Sequence, residues 1–240
     1  MKHIVTGDRV NASAVVLPEG VLVIDASVDS QGAQAVYAEA HRQGKVLYLI
    51  NTHEHHDHLA GNHLFACPII SSLPARESMV RAGARGLPTL AFSREMELHL
   101  SEPVRLRHFG GHSPGSAAVY FLERKLLFTG DLIFAGRVPY MGEADFPAWL
   151  AALKTMEAWE VETVVPGHGP QGGKELLAQQ SQWLEDYIRD VREWIGQSLA
   201  PQEMLDRVLA RFQVVQHWQE MLVKSFQLIQ EQFGPNPKLE

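Results

Sequence analysis

A short stretch between residues 51 and 58 concentrates side chains that bind transition metals. It reads N-T-H-E-H-H-D-H, directly after the apolar run VLYLI and directly before LAGNHLF, which can begin a helix. Imidazole and carboxylate groups suit zinc or iron better than magnesium or calcium. A single histidine is usually a surface or core residue, but a run of adjacent histidines and acids is not explained in that way. The stretch therefore predicts a metal site on a loop between a strand and a helix.

The spacing within this stretch favours two ions rather than one. In an extended backbone, residues two apart point to the same side, so His53 and His55 can bind one ion together. Asp57 and His58 lie where the chain turns into the helix and can face a second ion. His56 is out of phase with its neighbours and is expected to point outward.

Three further ligand-type residues lie at the apparent ends of other strands. They are His112 in GGHSPGS, Asp131 in FTGDLIF and His168 in VVPGHGP. Each lies beside glycine, which lets the backbone pass close to a metal. With Asp131 as a bridge, each ion receives four protein contacts, and a shared water or hydroxide completes a two-metal hydrolytic site. The predicted metal ligands are His53, His55, Asp57, His58, His112, Asp131 and His168.

The elements that must position these ligands are predicted from the periodicity of apolar residues. Helices fit residues 31–43, the segment that Asp145 caps, and the last third of the chain from residue 174, with a final helix over 218–233. This mixture of strands and helices predicts the α/β class. Buried strands fit the apolar runs at 21–24, 46–50, 69–70, 104–109, 117–122, 126–128 and 163–165.

Length and composition limit the class of protein. A chain of 240 residues fits one sizeable domain, or one domain with a small appendage. A net charge of -7 does not favour nucleic acid or anionic lipid, and no apolar run reaches membrane-spanning length. Cys67 is the single cysteine, which excludes a disulfide within the chain and a thiolate-rich metal site. We therefore expect a cytoplasmic protein that acts on a small molecule.

Taken in order, the motifs T-H-E-H-H-D-H, G-H-S-P-G-S, F-T-G-D and P-G-H-G resemble those of the metallo-β-lactamase-fold hydrolases. The resemblance covers roughly residues 10 to 175. It implies a four-layer αββα sandwich of two mixed β-sheets flanked by helices. It also implies a catalytic domain over residues 1–175 and a helical C-terminal extension over 176–240. Those helices could cap the pocket or join two copies in a homodimer, and the sequence leaves both open.

The resemblance also assigns the ligands to two ions. It implies that His53, His55 and His112 bind the first ion and that Asp131 bridges the two. The second ion then takes Asp57, His58 and His168. The complete set looks more like that of glyoxalase II and related hydrolases than that of true β-lactamases. The expected cofactors are two divalent ions, zinc first, with iron or manganese as alternatives.

The expected reaction is hydrolysis of an ester, thioester, lactone or similar bond by a metal-bridging hydroxide. Asp57 and Asp131 are the predicted catalytic carboxylates, and Asp57 could also carry a proton to the leaving group. The same site could cleave a phosphodiester or a β-lactam. A further alternative is an iron-dependent sulfur dioxygenase with one ion, which would need fewer of the seven ligands.

A serine hydrolase is the rival reading of the same residues. Residues 111–115 satisfy G-x-S-x-G, and Asp131 and His168 follow Ser113 in the order of such enzymes. That motif requires a helix after the serine. Here Pro114 follows it, and then the strand-like run SAAVYFL. The rival also leaves residues 53–58 unexplained, so the metal site is preferred.

For each of three residues the sequence leaves two roles open, one at the site and one purely structural. Asp25, at the end of the run VLVID, could orient a ligand histidine or only cap the strand. Tyr140 could line the substrate pocket and donate a hydrogen bond to a developing oxyanion, or only pack. Arg137 could contact an anionic group of the substrate or be solvated.

Overall fold

The structure is a computed structural model that describes residues 3–6, 10–211 and 219–234. Its described residues form two β-sheets. In the first sheet the spatial order follows the chain, with antiparallel pairing from β1 to β3 and parallel pairing from β3 to β6. Its strands are β1 His3–Thr6, β2 Ala12–Leu17, β3 Gly20–Ile24, β4 Val46–Ile50, β5 Ile69–Ser72 and β6 Leu90–Phe92.

The second sheet has the spatial order β11-β10-β9-β8-β7. Only β10 and β11 pair in parallel, and the other neighbours in this sheet are antiparallel. Both sheets are therefore mixed, as predicted. The strands of the second sheet are β7 Glu95–His99, β8 Pro103–His108, β9 Ala117–Phe121, β10 Leu126–Phe134 and β11 Thr163–His168.

Side-chain caps mark the starts of two helices. Asp29 accepts a hydrogen bond from the backbone of Gly32 at the start of α1, and Asp145 caps α4 by accepting one from Ala148 at 2.9 Å. The short α2 begins inside the ligand stretch, at His56, and contains Asp57 and His58, so it starts earlier than the helix expected from Leu59 onward. The helices are α1 Ser30–Gln43, α2 His56–Leu59, α3 Leu73–Arg81, α4 Phe146–Glu157, α5 Glu175–Gly196, α6 Pro201–Arg211 and α7 Gln219–Phe233.

Three apolar clusters order these elements into layers. One cluster lies between the sheets and joins Leu22 and Ile50 to Leu106 and Phe121. A second lies between the outer face of the first sheet and α1. A third joins the outer face of the second sheet to α4, α5, α6 and α7. This is the predicted four-layer αββα sandwich.

Strand β10 differs from its prediction in a way that matters for the site. The sequence predicted a strand over 126–128 with Asp131 beyond its end, but β10 continues to Phe134 and contains Asp131. Its pairing with β11 shifts register between Phe128 and Gly130 and again between Gly130 and Phe134. The irregular pairing lets the strand pass through a glycine that the sequence pattern treats as a strand end.

The C-terminal helices share one apolar cluster with the second sheet. The division of the chain at residue 175 thus remains a prediction. The predicted final helix from Trp218 is described from Gln219 onward, and Trp218 and residues 235–240 lie outside the described residues. None of the helices in the described ranges is both long enough and apolar enough to cross a membrane.

Candidate metal centre

Buried hydrogen bonds hold the loop after β4, which carries candidate ligands. Asn51 and Asn62 exchange two side-chain hydrogen bonds, at 3.0 and 2.9 Å, and both are buried. The backbone of His55 is extended and α2 starts at the next residue. The change from extended chain to helix turns the loop's side chains toward two neighbouring points, as the spacing predicted.

The seven predicted ligands come together in two groups that share Asp131. Within each group, one candidate ligand atom from every residue lies within 4.8 Å of those of the others. The first group is His53, His55, His112 and Asp131. The second group is Asp57, His58, Asp131 and His168.

Distances within the groups suit ligands of a tetrahedral ion. Ligand atoms about 2.1 Å from such an ion lie roughly 3.4 Å from one another. In the first group, Asp131 Oδ2 is 3.7 Å from His53 Nε2 and 3.5 Å from His112 Nε2. In the second group, His168 Nε2 is 3.3 Å from one oxygen of Asp57 and 3.3 Å from Asp131 Oδ2. Ordinary side-chain packing does not require nitrogen and oxygen atoms to converge in this way.

Buried polar atoms without partners give a second test of the fit. The Nε2 atoms of His53 and His58 and Oδ1 of Asp131 are buried and make no hydrogen bond within the described residues. Leaving a buried polar atom unpaired costs about 1–3 kcal/mol. Divalent ions in the two groups would satisfy such atoms, so the donor set fits a metal centre.

Hydrogen bonds from beneath the site fix the tautomers of two histidines. The carboxylate of Asp25 accepts from the hydroxyl of Thr52 at 2.8 Å and from Nδ1 of His58 at 2.9 Å. Because the Thr52 proton points to Asp25, Nδ1 of His53, 3.0 Å from the same hydroxyl, must be the donor there. Because Nδ1 carries a proton in both rings, Nε2 is the nitrogen that each neutral ring offers to the ligand groups, which is the arrangement that metal ligation needs.

Asp25 itself adopts an uncommon backbone conformation. Its φ is 58°, in the left-handed region, and the residue is buried. Its Oδ1 also accepts from the backbone N–H of Thr52, at 2.8 Å. Non-glycine residues in this region are strained and tend to lie at functional sites.

The charges of the metal-free groups are strongly coupled. Burial lowers the pKa of His112 to about 3. Burial also acts to lower the pKa of His168, but the neighbouring carboxylates of Asp131 and Asp57 outweigh it and raise that pKa to about 9. Burial opposes ionisation of Asp131, whereas His58 and His168 hold its pKa well below the usual range. Without metal, the two groups thus combine an ionised Asp131 carboxylate with a neutral His112 ring and a protonated His168 ring.

Glu54 supports the loop that carries His112. Its oxygens accept from the hydroxyl of Ser113 and from the backbone N–H of Gly115, each at 3.1 Å. The Ser113 hydroxyl also lies 2.9 Å from that of Ser116, and Ser113 is buried. Ser113 is followed by strand β9 rather than by a helix. These contacts do not match those of a serine nucleophile, which needs a histidine beside its hydroxyl.

Asn11 supports the loop that carries His168. Its side-chain amide donates to the carbonyls of Pro166, at 2.8 Å, and Gly169, at 2.7 Å. Its backbone N–H donates to the carbonyl of Gly167 at 2.8 Å. One side chain at the start of β2 therefore binds the backbone on both sides of a candidate ligand.

A pocket of about 300 Å³ opens over the two groups. Tyr140 borders it, and its ring meets those of His55 and His112 edge-on, with centroids 5.6 and 6.2 Å away. His56 is exposed, as predicted from its phase, and lies at the rim. The lining residues are His55, His56, Asp57, Asp131, Phe134, Tyr140, Glu143 and His168.

Arg137 lies elsewhere. It is exposed and lines a neighbouring pocket of about 340 Å³ between the end of β10 and α5. Phe134 lines both pockets and stacks on His168 with the ring centroids 4.9 Å apart. Arg137 therefore borders a different pocket from the one over the ligand groups, and Phe134 forms part of both walls.

Three supporting residues were not predicted from the sequence. They are Asn11, Glu54 and Glu143, and Glu143 lies 3.5 Å from Nε2 of His55. Glu54 could have been noticed as the acid within the ligand loop, and Glu143 as an acid three residues after Tyr140. Asn11 gives no such signal, because its contacts lie more than 150 residues away along the chain.

The fold and the His/Asp groups define an αββα protein whose sheets bring together residues that could hold metal ions. The chain belongs to the metallo-β-lactamase superfamily, whose sequence model matches residues 5–66 and 88–168.

Curated relatives carry several names. Hydroxyacylglutathione hydrolase of Rhizobium etli is 31% identical over 127 residues, which is 48% of this chain and 48% of that protein. Metallo-beta-lactamase type 2 of Bacteroides fragilis is 28% identical over 153 residues, 60% of this chain and 61% of that one. Acyl-coenzyme A thioesterase MBLAC2 of Homo sapiens is 31% identical over 96 residues, 38% and 34% of the two chains. The matches thus span between about a third and three fifths of these relatives.

Solved structures support the fold alone. DIM-1 metallo-beta-lactamase exposed to ceftazidime aligns with a TM-score of 0.68 at 18% identity, over 74% of this chain and 85% of that one. The metallo-beta-lactamase from Pontibacter korlensis aligns with a TM-score of 0.67 at 20% identity, over 77% of this chain and 99% of that one.

Proposed function

We propose that this protein is a metal-dependent hydrolase that holds two divalent ions, with zinc as the simplest choice. The observation that carries the proposal is the position of Asp131 between the two ligand groups. Its Oδ1 lies 3.1 Å from His58, and its Oδ2 lies 3.5 Å from His112 and 3.3 Å from His168. A carboxylate placed in this way can contact both ions. Imidazole and carboxylate ligands suit zinc, and iron and manganese are the alternatives.

The metal supplies the chemistry that no side chain in the pocket supplies alone. Bound divalent ions lower the pKa of water from about 15.7 toward about 7 and polarise a substrate oxygen. The protein's part is to orient ligands and to move protons. Asp57 borders the pocket with a partly exposed carboxylate. From there it can take up a proton and pass it to the leaving group.

The substrate class that we propose is a small ester, thioester or lactone. A pocket of about 300 Å³ is at the small end of ligand sites, and Phe134 and Tyr140 give it aromatic walls. Two of the named relatives act on thioesters, hydroxyacylglutathione and acyl-coenzyme A. Tyr140 lines this pocket, which supports the proposal that it contacts the substrate. Arg137 would reach only a substrate that extends past Phe134 into the neighbouring pocket.

A β-lactam is the second candidate substrate. The relative from Bacteroides fragilis is named metallo-beta-lactamase type 2. Because one metal site can serve several carbonyl substrates, the ligands do not choose between the two classes. The loops around the pocket do.

A substrate panel with metal analysis tests the proposal. The purified protein is assayed on thioesters, esters, lactones, phosphodiesters and β-lactams, before and after chelation, and its ions are counted. We expect two ions per chain, turnover of the first three classes, and loss of turnover on chelation that zinc restores. Turnover that survives complete metal removal would contradict the proposal. One iron per chain with oxygen consumption would instead indicate a sulfur dioxygenase.

A further inference from the structure

We propose that Glu143 is a positioning residue for the candidate ligand His55 and that the C-terminal helix α7 holds it in place. This inference rests on the proposed metal centre. It assigns a role in that centre to a helix that contributes no ligand of its own.

The two nitrogens of the His55 ring face different partners. Nδ1 lies 3.0 Å from Nε2 of His112, on the side of the first ligand group. Nε2 is buried and lies 3.5 Å from Oε1 of Glu143. A metal bound at Nδ1 leaves a proton on Nε2, and that N–H requires an acceptor. Carboxylates commonly serve as this acceptor, which fixes the ring and makes it a better ligand.

Helix α7 is hydrogen-bonded to the loop that carries Glu143. The side chain of Gln232 accepts from the backbone N–H of Phe146 at 2.9 Å and donates to the carbonyl of Ala144 at 2.8 Å. Earlier in the loop, the backbone N–H of Met141 points to the sulfur of Met221 at 3.1 Å. Residues of α7 therefore bind the backbone on both sides of Glu143.

The same loop is also tied to the ligand His112. The backbone N–H of Asp145 donates to the carbonyl of Gly111 at 2.8 Å. Gly111 passes so close to α4 that a Cβ there would lie 2.8 Å from the Cα of Trp149. Contacts from α7 on one side and from the His112 loop on the other leave residues 141–146 little freedom. A carboxylate on such a loop can hold its ring partner in one orientation.

The first experiment measures metal binding rather than turnover. Zinc affinity is determined by competition with a chromogenic chelator, and the cobalt-substituted protein gives an absorption spectrum that reports ligand geometry. Glu143→Ala should weaken binding of one of the two ions about tenfold or more and change the cobalt spectrum. Glu143→Gln keeps an acceptor oxygen and should recover part of the loss. Glu185→Gln removes an acid from the exposed face of α5 and should leave both readouts unchanged.

A second experiment tests the role of α7. Gln232→Ala should weaken the same ion, while Gln230→Ala, an exposed glutamine on the same helix, should not. Adding Glu143→Ala to Gln232→Ala should cost little more than Glu143→Ala alone, because both act through one contact. Additive losses would overturn the link to α7. If Gln232→Ala does not fold, Met221→Leu, which removes the sulfur that faces the backbone N–H of Met141, should weaken the same ion, and an unchanged affinity would overturn the link to α7.

The outcomes separate this inference from the proposed function. If the wild-type chain binds two ions, and Glu143→Ala binds both as tightly and with the same cobalt spectrum, only the inference is overturned. A wild-type chain that binds no ion would overturn the proposed metal centre and the inference with it.

Discussion

Asp25 supports the site through the oxygen atoms of one carboxylate. The sequence left it between capping a strand and orienting a ligand, and its contact with His58 at 2.9 Å favours the second role. It also binds Thr52 twice, through the backbone N–H and the hydroxyl. One side chain therefore fixes the ring of His58 and, through Thr52, the ring of His53.

Asp25→Asn tests this support with almost no change of volume. The amide replaces one acceptor oxygen with a donor, so either Thr52 or His58 loses its bond. We expect zinc affinity to fall about 10–100-fold and stability to fall by about 1–3 kcal/mol. Chelator competition and denaturant unfolding measure the two effects. Asp206→Asn, on the exposed side of α6, is the matched control, and equal affinities in the two variants would contradict the prediction.

Ser113→Ala separates the two rival mechanisms by its turnover, and Asp131→Ala separates them by its bound metal. Ser113→Ala removes a hydroxyl that bonds to Glu54 and Ser116, so it should cost about 1 kcal/mol of stability and leave turnover within a few-fold. Asp131→Ala removes the shared carboxylate and should abolish both turnover and bound metal. Steady-state rates and metal content decide. Loss of turnover in Ser113→Ala with full metal content would favour the serine mechanism instead.

The residues that were predictable are those whose types carry the chemistry. Histidines and acids beside glycine were visible in the sequence, and the structure brings all seven into two groups. Supporting residues such as Asn11 and Glu143 were not, because amide and carboxylate groups are common on any surface. Only the fold shows that Asn11 reaches Pro166 and Gly169.

At the scale of elements, β10 shows why strand ends were hard to predict. Gly130 has a φ of 49°, and a Cβ there would lie 2.4 Å from the hydroxyl oxygen of Thr52. The glycine that suggested a strand end is in fact required for β10 to pass this close to the ligand loop. The strands β6 and β7 were missed for another reason. They lie at sheet edges, and their exposed side chains give no apolar run.

The start of β2 is predicted to matter for the ion of the second group. Asn11→Ala removes both side-chain bonds to the His168 loop and should lower stability by about 1–3 kcal/mol. Asn11→Asp should be worse at neutral pH, because it places a carboxylate against two carbonyl oxygens. Thermal unfolding and zinc affinity measure both variants. An Asn11→Asp variant as stable as wild type would show that the two side-chain hydrogen bonds of Asn11 are dispensable.

At the scale of the whole molecule, the C-terminal helices share one apolar cluster with the second sheet. Tyr187, Leu222 and Phe226 are buried in the cluster that contains Leu127 of β10. The exposed large apolar residues of the described chain lie instead at Leu73, Val80, Leu87 and Leu90. A homodimer through the C-terminal helices stays a prediction, and their buried faces already have a partner within the chain.

Metal removal should affect the stability of the entire fold, because the ligands come from both sheets. His53, His55 and His58 follow the first sheet, whereas Asp131 and His168 belong to the second. An ion whose free concentration is about 1,000 times its Kd raises the free energy of unfolding by about 4 kcal/mol. Chelation should therefore lower the unfolding temperature by on the order of 10 °C. Calorimetry with and without chelator measures this. Zinc should restore the original temperature and magnesium should not, since magnesium prefers oxygen ligands. An unchanged unfolding temperature after verified loss of the ions would mean that the two sheets hold together without them.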